Sequence, residues 1–194
     1  GTWQPCSPQT VAGFSAVGYY FGRHLHKELN VPIGLIQAAW GGTRIEPWTP
    51  KEGFALVENK ELNEIGEQQA TLEANYRNAT HAGIAAIEQW LDDAKHARDH
   101  GRPVPPLPNA LPGAGAGNVS HLYNGMVAPV VPFAVKGAIW YQGESNVGQG
   151  MRYRDHMEAL IRGWRTVWNQ KTNGDFPFYF VQLAPFGYGG PPTR

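Results

Sequence analysis

The stretch VKGAIWYQGESN, Val135 to Asn146, decides the fold. Val135 to Tyr141 form an apolar run that predicts a strand, and the polar QGESN that follows sits where the strand would end. A similar run, IGLIQAAW from Ile33 to Trp40, is short, nearly continuous and bounded by Pro32 and Gly41-Gly42. That pattern predicts a strand buried on both faces of a parallel sheet. PFYFVQL, Pro177 to Leu183, predicts a third strand. Between the strands lie helical patterns. Ser7-Pro8 offers an N-cap with proline at the first helical position. Val11, Phe14, Gly18, Phe21, Leu25 and Leu29 then recur at helical spacing, predicting one helix from Pro8 to Leu29 that Asn30 and Pro32 end. Tyr153 to Trp168 predicts another, with Met157, Leu160, Ile161, Trp164 and Trp168 facing inward. Helix and strand in this alternation imply an α/β fold wound on a mostly parallel sheet.

The middle of the chain reads differently. Glu58 to about Arg98 is rich in Glu, Ala, Gln, Asn and Lys, with apolar residues such as Leu62, Ile65, Leu72, Tyr76, Ile84, Ile87 and Leu91 more widely spaced. A helical hairpin outside the sheet with a solvated charged face is the expectation. Arg102 to Gly117 holds five prolines and three glycines and reads as a long irregular loop back to the sheet. The implied division is residues 1–50, the first part of the α/β domain; 51–118, the hairpin and Pro/Gly-rich loop as an insertion; and 119–194, its second part.

Composition narrows the function. With 194 residues, 42% of them hydrophobic, the chain is long enough to bury one sizeable core. Sixteen basic and 16 acidic residues balance to zero, and no basic run is present to attract nucleic acid or an anionic membrane. A neutral substrate suits this balance better. The single Cys6 rules out an internal disulfide framework and a cysteine-based zinc site. His24, His26, His81, His96, His100 and His121 show no ligand spacing of the H-E-x-x-H kind, so neither a metal nor any other cofactor is expected. No apolar run approaches the length of a membrane span.

In open α/β sheets ligands bind beyond the carboxyl ends of the strands. Two of the three predicted strand ends stand out: GGTRIEPW, Gly41 to Trp48, and QGESN, Gln142 to Asn146. Paired glycines let an amide N–H turn into a site, and Gln142 can add a neutral side-chain amide. Two such donors converging on one point can form an oxyanion hole for acyl transfer. Each loop alone also reads as a tight turn after a strand.

Four blocks in order, WQPCSPQTVAGFSAVGYYFGR, WGGTRIEPW, LYNGMVAPVVPFAVKGAIWYQGESN and, within it, WYQGESN, resemble the sialate O-acetylesterase family of SGNH hydrolases and related bacterial carbohydrate acetylesterases. The similarity spans nearly the whole chain except the predicted hairpin and Pro-rich loop. It implies a flavodoxin-like three-layer sandwich and a serine, histidine, aspartate hydrolase that removes O-acetyl groups from sugars without a metal. By family pattern Gly42 matches the backbone oxyanion donor and Gln142 the side-chain donor. The family's GQSN-like nucleophile block and its D-x-x-H-like block find no convincing match here. The resemblance therefore implies an internal portion of a larger esterase, incomplete at both ends, whose partners are an acetylated sugar and the rest of the same domain. It points to the periplasm or the cell exterior. A non-catalytic sugar-binding module or pseudoenzyme is the alternative.

Other residues were candidates for narrower roles. Ser145 stands at a strand end where a nucleophile could be, but outside a G-x-S-x-G elbow. Ser15 is expected inside the first helix as a packing residue. Asp93 to His96 spells D-x-x-H before the QGESN block, in the wrong order for the family. Glu144 is a candidate for orienting its neighbours, against a solvent-facing turn. Arg44, Trp48 and Asn146 are candidates for contact with substrate, Arg44 with pairing to Glu46 or Glu144 as the alternative. Tyr123, Asn124 and Trp48 suit a sugar cleft wall or core packing equally. His156 is expected to be exposed or to cap its helix. The GYGGPPTR ending reads as an exposed loop.

Overall fold

The computed structural model describes residues 2–113, 115–131, 133–172 and 176–184; the GYGGPPTR ending lies outside them. The chain is helix-rich, with a small two-stranded parallel sheet, and is compatible with an α/β arrangement. Strand β1 is Ala138–Trp140 and β2 is Phe178–Phe180, each inside a predicted strand but shorter. They pair in parallel with Ala138 opposite Phe178 and Trp140 opposite Phe180.

The first predicted helix is in fact two, α1 Pro8–Val11 and α2 Ala16–Leu29. The break falls at Ser15, which leaves helical geometry and accepts the Gly18 N–H at 3.1 Å as the N-cap of α2. Ser15 is thus a cap and not a packing residue. A serine side chain competes for backbone donors, which favours starting a helix over continuing one. Ser15→Ala should cost about 1 kcal/mol, read as a lower urea midpoint at unchanged slope. At the other end Asn30 takes the left-handed conformation at φ 52° and donates to the His26 carbonyl, as the sequence predicts for the stop.

Residues 33–40 form no strand ladder among the described residues, and Ile36 and Trp40 are exposed. A ladder needs a partner strand, and here the segment docks on a helix instead. Leu35 lies against Gly22 of α2, and the Gln37 side chain accepts the Ser15 N–H at 2.6 Å. The sheet is likewise not covered on both faces: Ala138 and Trp140 point to the core side, while Ile139, Tyr179 and Phe180 are exposed.

The predicted hairpin is a single helix, α4 Lys60–Asp99. Asn59 caps it by accepting the Leu62 N–H at 3.2 Å. Nothing between Lys60 and Asp99 enforces a turn, because an isolated glycine such as Gly66 or Gly83 weakens a helix without breaking it. Its charged residues are largely solvated, as expected, with Leu62, Gln69, Gly83, Ala94 and Ala97 buried.

Helix α5, Arg152–Thr172, organises the interior. Met157, Leu160 and Trp168 bury in one cluster with Ile45, Trp48, Leu122, Tyr123, Val127 and Phe176, and Ile161 and Trp164 are packed against it. Ala159 joins Phe54, Val57 and Leu62 in a second cluster, which fixes the short helix α3, Lys51–Phe54, between α4 and α5. The Trp164 indole N–H donates to the Trp48 carbonyl at 3.0 Å, and Arg165 holds the Phe176 carbonyl just before β2. The first of the two loops singled out in the sequence and the approach to β2 are thereby anchored to one helix.

Candidate functional site

The two glycine-containing loops meet. Gln142 directly follows Tyr141 at the end of β1, and its Nε2 donates to the Thr43 carbonyl at 3.0 Å, one residue after Gly42. Gly42 itself is exposed at φ 74°, a conformation that favours glycine, and a Cβ there would meet none of the described residues. Trp40 and Tyr141, the aromatic residues preceding the two loops, are 58% and 57% exposed.

The orientation of Gln142 is set from behind. Tyr153, in the first turn of α5, donates to Gln142 Oε1 at 2.7 Å. Burial raises the Tyr153 pKa, the Trp140 indole opposes that, and Glu144 and Glu46 add to it, so the phenol keeps its proton as a donor at neutral pH. With Oε1 facing Tyr153, Nε2 faces away, and its second bond runs to Asn146 Oδ1 at 2.7 Å. Both amide hydrogens of Gln142 are engaged within the protein.

Asn146 is the centre of the arrangement and is 1% exposed. Its Oδ1 also accepts the Ile45 N–H at 3.0 Å, while its Nδ2 donates to Glu46 Oε2 at 3.2 Å and to Gln149 Oε1 at 2.8 Å. Gln149 Nε2 returns to Glu46 Oε1 at 2.9 Å. Asn146 therefore joins the two loops from inside and does not face a cleft. Trp48, 4% exposed, is also a core residue: it packs edge-on against Trp140 and donates to Thr43 Oγ1 at 3.0 Å.

The carboxylate bonded to the amides of this cluster is Glu46. Glu144 is exposed at the start of a 3-10 turn, whereas Glu46 is 8% exposed. Burial favours the protonated form of Glu46, but its own backbone N–H, the Gln149 and Asn146 amides and the nearby His156 outweigh it and hold the carboxyl below its usual range. The sequence carried a signal for it: one carboxylate between Ile45 and Pro47-Trp48, inside an otherwise apolar run.

His156 differs from expectation too. It is 5% exposed, its Nε2 lies 3.9 Å from Glu46 Oε1, and its Nδ1 is buried without a hydrogen-bond partner among the described residues. Tyr153, His156, Met157 and Leu160 follow i, i+3, i+4, i+7 spacing, so the helix places them on one inward face. Burial lowers the His156 pKa; Glu46, Glu61 and Asp155 oppose this and Arg44 adds to it. The ring is neutral at neutral pH. Both lowered groups take up protons more readily when unfolded, so stability rises with pH across each window. Acidification should erode stability below about pH 6.5 through His156 and below about pH 4.5 through Glu46. The check is the thermal midpoint between pH 8 and 5, whose slope should flatten in His156→Gln.

The remaining candidates are dispersed. Arg44 is exposed and its Nε donates to the Ser145 carbonyl at 3.3 Å, so it braces the second loop and pairs with neither Glu46 nor Glu144. Ser145 is exposed, and no hydrogen bond links its hydroxyl to a histidine among the described residues. Asp93 and His96 make local contacts on α4, with Gln89 and His100. Tyr123 is buried, and its phenol is pushed up to about 12 by burial and Glu52. Asn124 lines an open cleft of about 520 Å³ with Glu73, Tyr76, Arg77 and His121, none of which belongs to the Gln142 cluster. Among the described residues no three His, Cys, Asp or Glu side chains converge as a metal site, and no helix is long and apolar enough to cross a membrane.

No protein-family model matches the chain. Curated relatives do. The sialate O-acetylesterase of Rattus norvegicus is 32% identical over 193 residues, covering 93% of this chain and 32% of that protein. That of Mus musculus is 31% identical with the same coverage, and that of Homo sapiens is 30% identical over 175 residues, 88% of this chain and 25% of that protein. The resemblance to the sialate O-acetylesterase family carried by the four sequence blocks is borne out, and the chain spans about a third or less of the length of these relatives.

Proposed function

We propose that this chain, similar along nine-tenths of its length to sialate O-acetylesterases, forms part of a carbohydrate O-acetylesterase of SGNH type. In this reading a serine and a histidine-aspartate pair elsewhere in the protein attack the acetyl ester of a sugar, and the segment supplies the oxyanion hole from the Gly42 N–H and Gln142. Serine adds to the carbonyl carbon as histidine takes its proton, the alkoxide collapses to an acyl-enzyme with loss of the sugar hydroxyl, and water releases acetate. What carries the reading is the 3.0 Å bond from Gln142 Nε2 to the Thr43 carbonyl, which brings a side-chain amide beside the exposed Gly42 turn. On substrate arrival Gln142 exchanges the Thr43 carbonyl for the developing oxyanion. The exposed Trp40 and Tyr141 rings offer faces that suit a sugar better than an acyl chain, and Arg44 of the first loop reaches the second at the Ser145 carbonyl.

The alternative, a non-catalytic sugar-binding module or pseudoenzyme, is favoured by one observation: both Gln142 amide hydrogens are already engaged. A serine-directed fluorophosphonate applied to the full-length protein separates the two. Labelling of a serine outside these 194 residues is the expected result. A label on Ser145 overturns the assignment of the nucleophile, and no label together with sugar binding but no acetate release favours the binder.

A further inference from the structure

We infer that Glu46 is a positioning residue for Gln142, acting through the amide of Asn146. The inference rests on the proposed role of Gln142 and extends it to residues that touch no substrate. An asparagine amide can sit either way round, and its surroundings decide which end faces which neighbour. Here every position is determined. The ionised Glu46 carboxylate is an acceptor only, and it takes the Asn146 Nδ2 at 3.2 Å and the Gln149 Nε2 at 2.9 Å. Gln149 Oε1 takes the second Asn146 hydrogen at 2.8 Å. Asn146 Oδ1 is thereby left facing two donors, the Ile45 N–H at 3.0 Å and Gln142 Nε2 at 2.7 Å.

Rotating the Asn146 amide by half a turn would set its NH₂ against both those donors and its oxygen against the carboxylate. A buried polar cluster in which every partner is matched holds one arrangement, and one mismatch is costly. A glutamine in place of Glu46 removes the determinant, since its amide can donate or accept toward Asn146. Gln142 then loses a fixed acceptor for the hydrogen it does not lend to the reaction. His156 Nε2 lies 3.9 Å from the same carboxylate, at Oε1.

The test is a double-substitution cycle on the full-length protein, with acetate release from an O-acetylated sugar as the readout. Glu46→Gln should lower kcat on the order of 10-fold with KM within about twofold. In a Gln142→Ala background the same change should slow turnover no further, because it acts through the residue already removed. Effects that multiply overturn the inference, as does an unchanged kcat for Glu46→Gln when Gln142→Ala alone is slow. Gln142→Ala at full rate would instead sink the role of Gln142 and the inference with it. Should Glu46→Gln fail to fold, Gln149→Met carries the same comparison: slowing in the native background and none beside Gln142→Ala supports the coupling, and equal slowing in both overturns it.

Discussion

Gln142→Ala in the full-length protein should reduce turnover on the order of 100-fold while leaving substrate binding nearly unchanged. The split follows from what the side chain does before and during the reaction. In the resting site Nε2 is satisfied by the Thr43 carbonyl and Asn146, so it has no need of the neutral ester. Only when negative charge develops on the carbonyl oxygen does exchanging the Thr43 carbonyl for the substrate become favourable, because hydrogen bonds to a charged acceptor are stronger than those to a neutral one. An interaction made in the transition state alone appears in kcat and not in KM. The measurement is kcat and KM for acetate release, with the circular dichroism spectrum as a check on folding. A rise in KM at constant kcat would place Gln142 in substrate binding, and an unchanged rate would remove it from the mechanism. Glutamate at the same position is a sharper variant: it would set a carboxylate against the Thr43 carbonyl and Asn146 Oδ1, and should be at least as slow.

The two loops were legible because strand-end position and glycine pairing are local properties. The turn after Trp40 and the residue after Tyr141 can be read without knowing what packs on them, and the structure brings these loops together. What holds them was not legible in the same way. Glu46 is about a hundred residues in sequence from Asn146, Gln149 and His156, and their roles exist only in the pairing. Where a helical pattern was available it sufficed for existence and not for extent. α5 has its predicted inward face, yet the same spacing also places His156 on that face, where an exposed or capping ring was expected. The helices Pro8 to Leu29 and Glu58 to Arg98 show the two opposite errors. One serine side chain split the first, and no residue was able to turn the second. The run Ile33 to Trp40 marks the remaining difficulty: apolar residues announce burial, but a strand also needs a neighbour with which to pair, and that is a property of the whole sheet.

Gly53→Ala should destabilise the fold by about 1–3 kcal/mol, although it adds a single methyl group. On most helices this change is stabilising, since alanine gives up less backbone entropy than glycine. Gly53 sits in α3 where a Cβ would run into the Ala159 carbonyl oxygen and would come within 3.2 Å of the Gly163 Cα. Both partners are backbone atoms of α5, so no side chain can move aside to accommodate it. Gly163 makes the reciprocal approach: a Cβ there would lie 2.7 Å from Pro50 Cγ and 2.9 Å from the Gly53 Cα. Two glycines thus set the closeness of α3 and α5, and separating them opens the cluster of Phe54, Val57, Leu62 and Ala159. The site feels it as well, because Pro50 follows the turn that carries Glu46 while His156 rides on α5. Urea unfolding should show a lower midpoint at unchanged slope. Gly113→Ala, at a glycine with open space around it, is the control and should stay within about 0.5 kcal/mol. Equal midpoints for the two variants would mean that the contact between α3 and α5 yields freely, and the close approach would then have no part in holding Glu46 and His156 together.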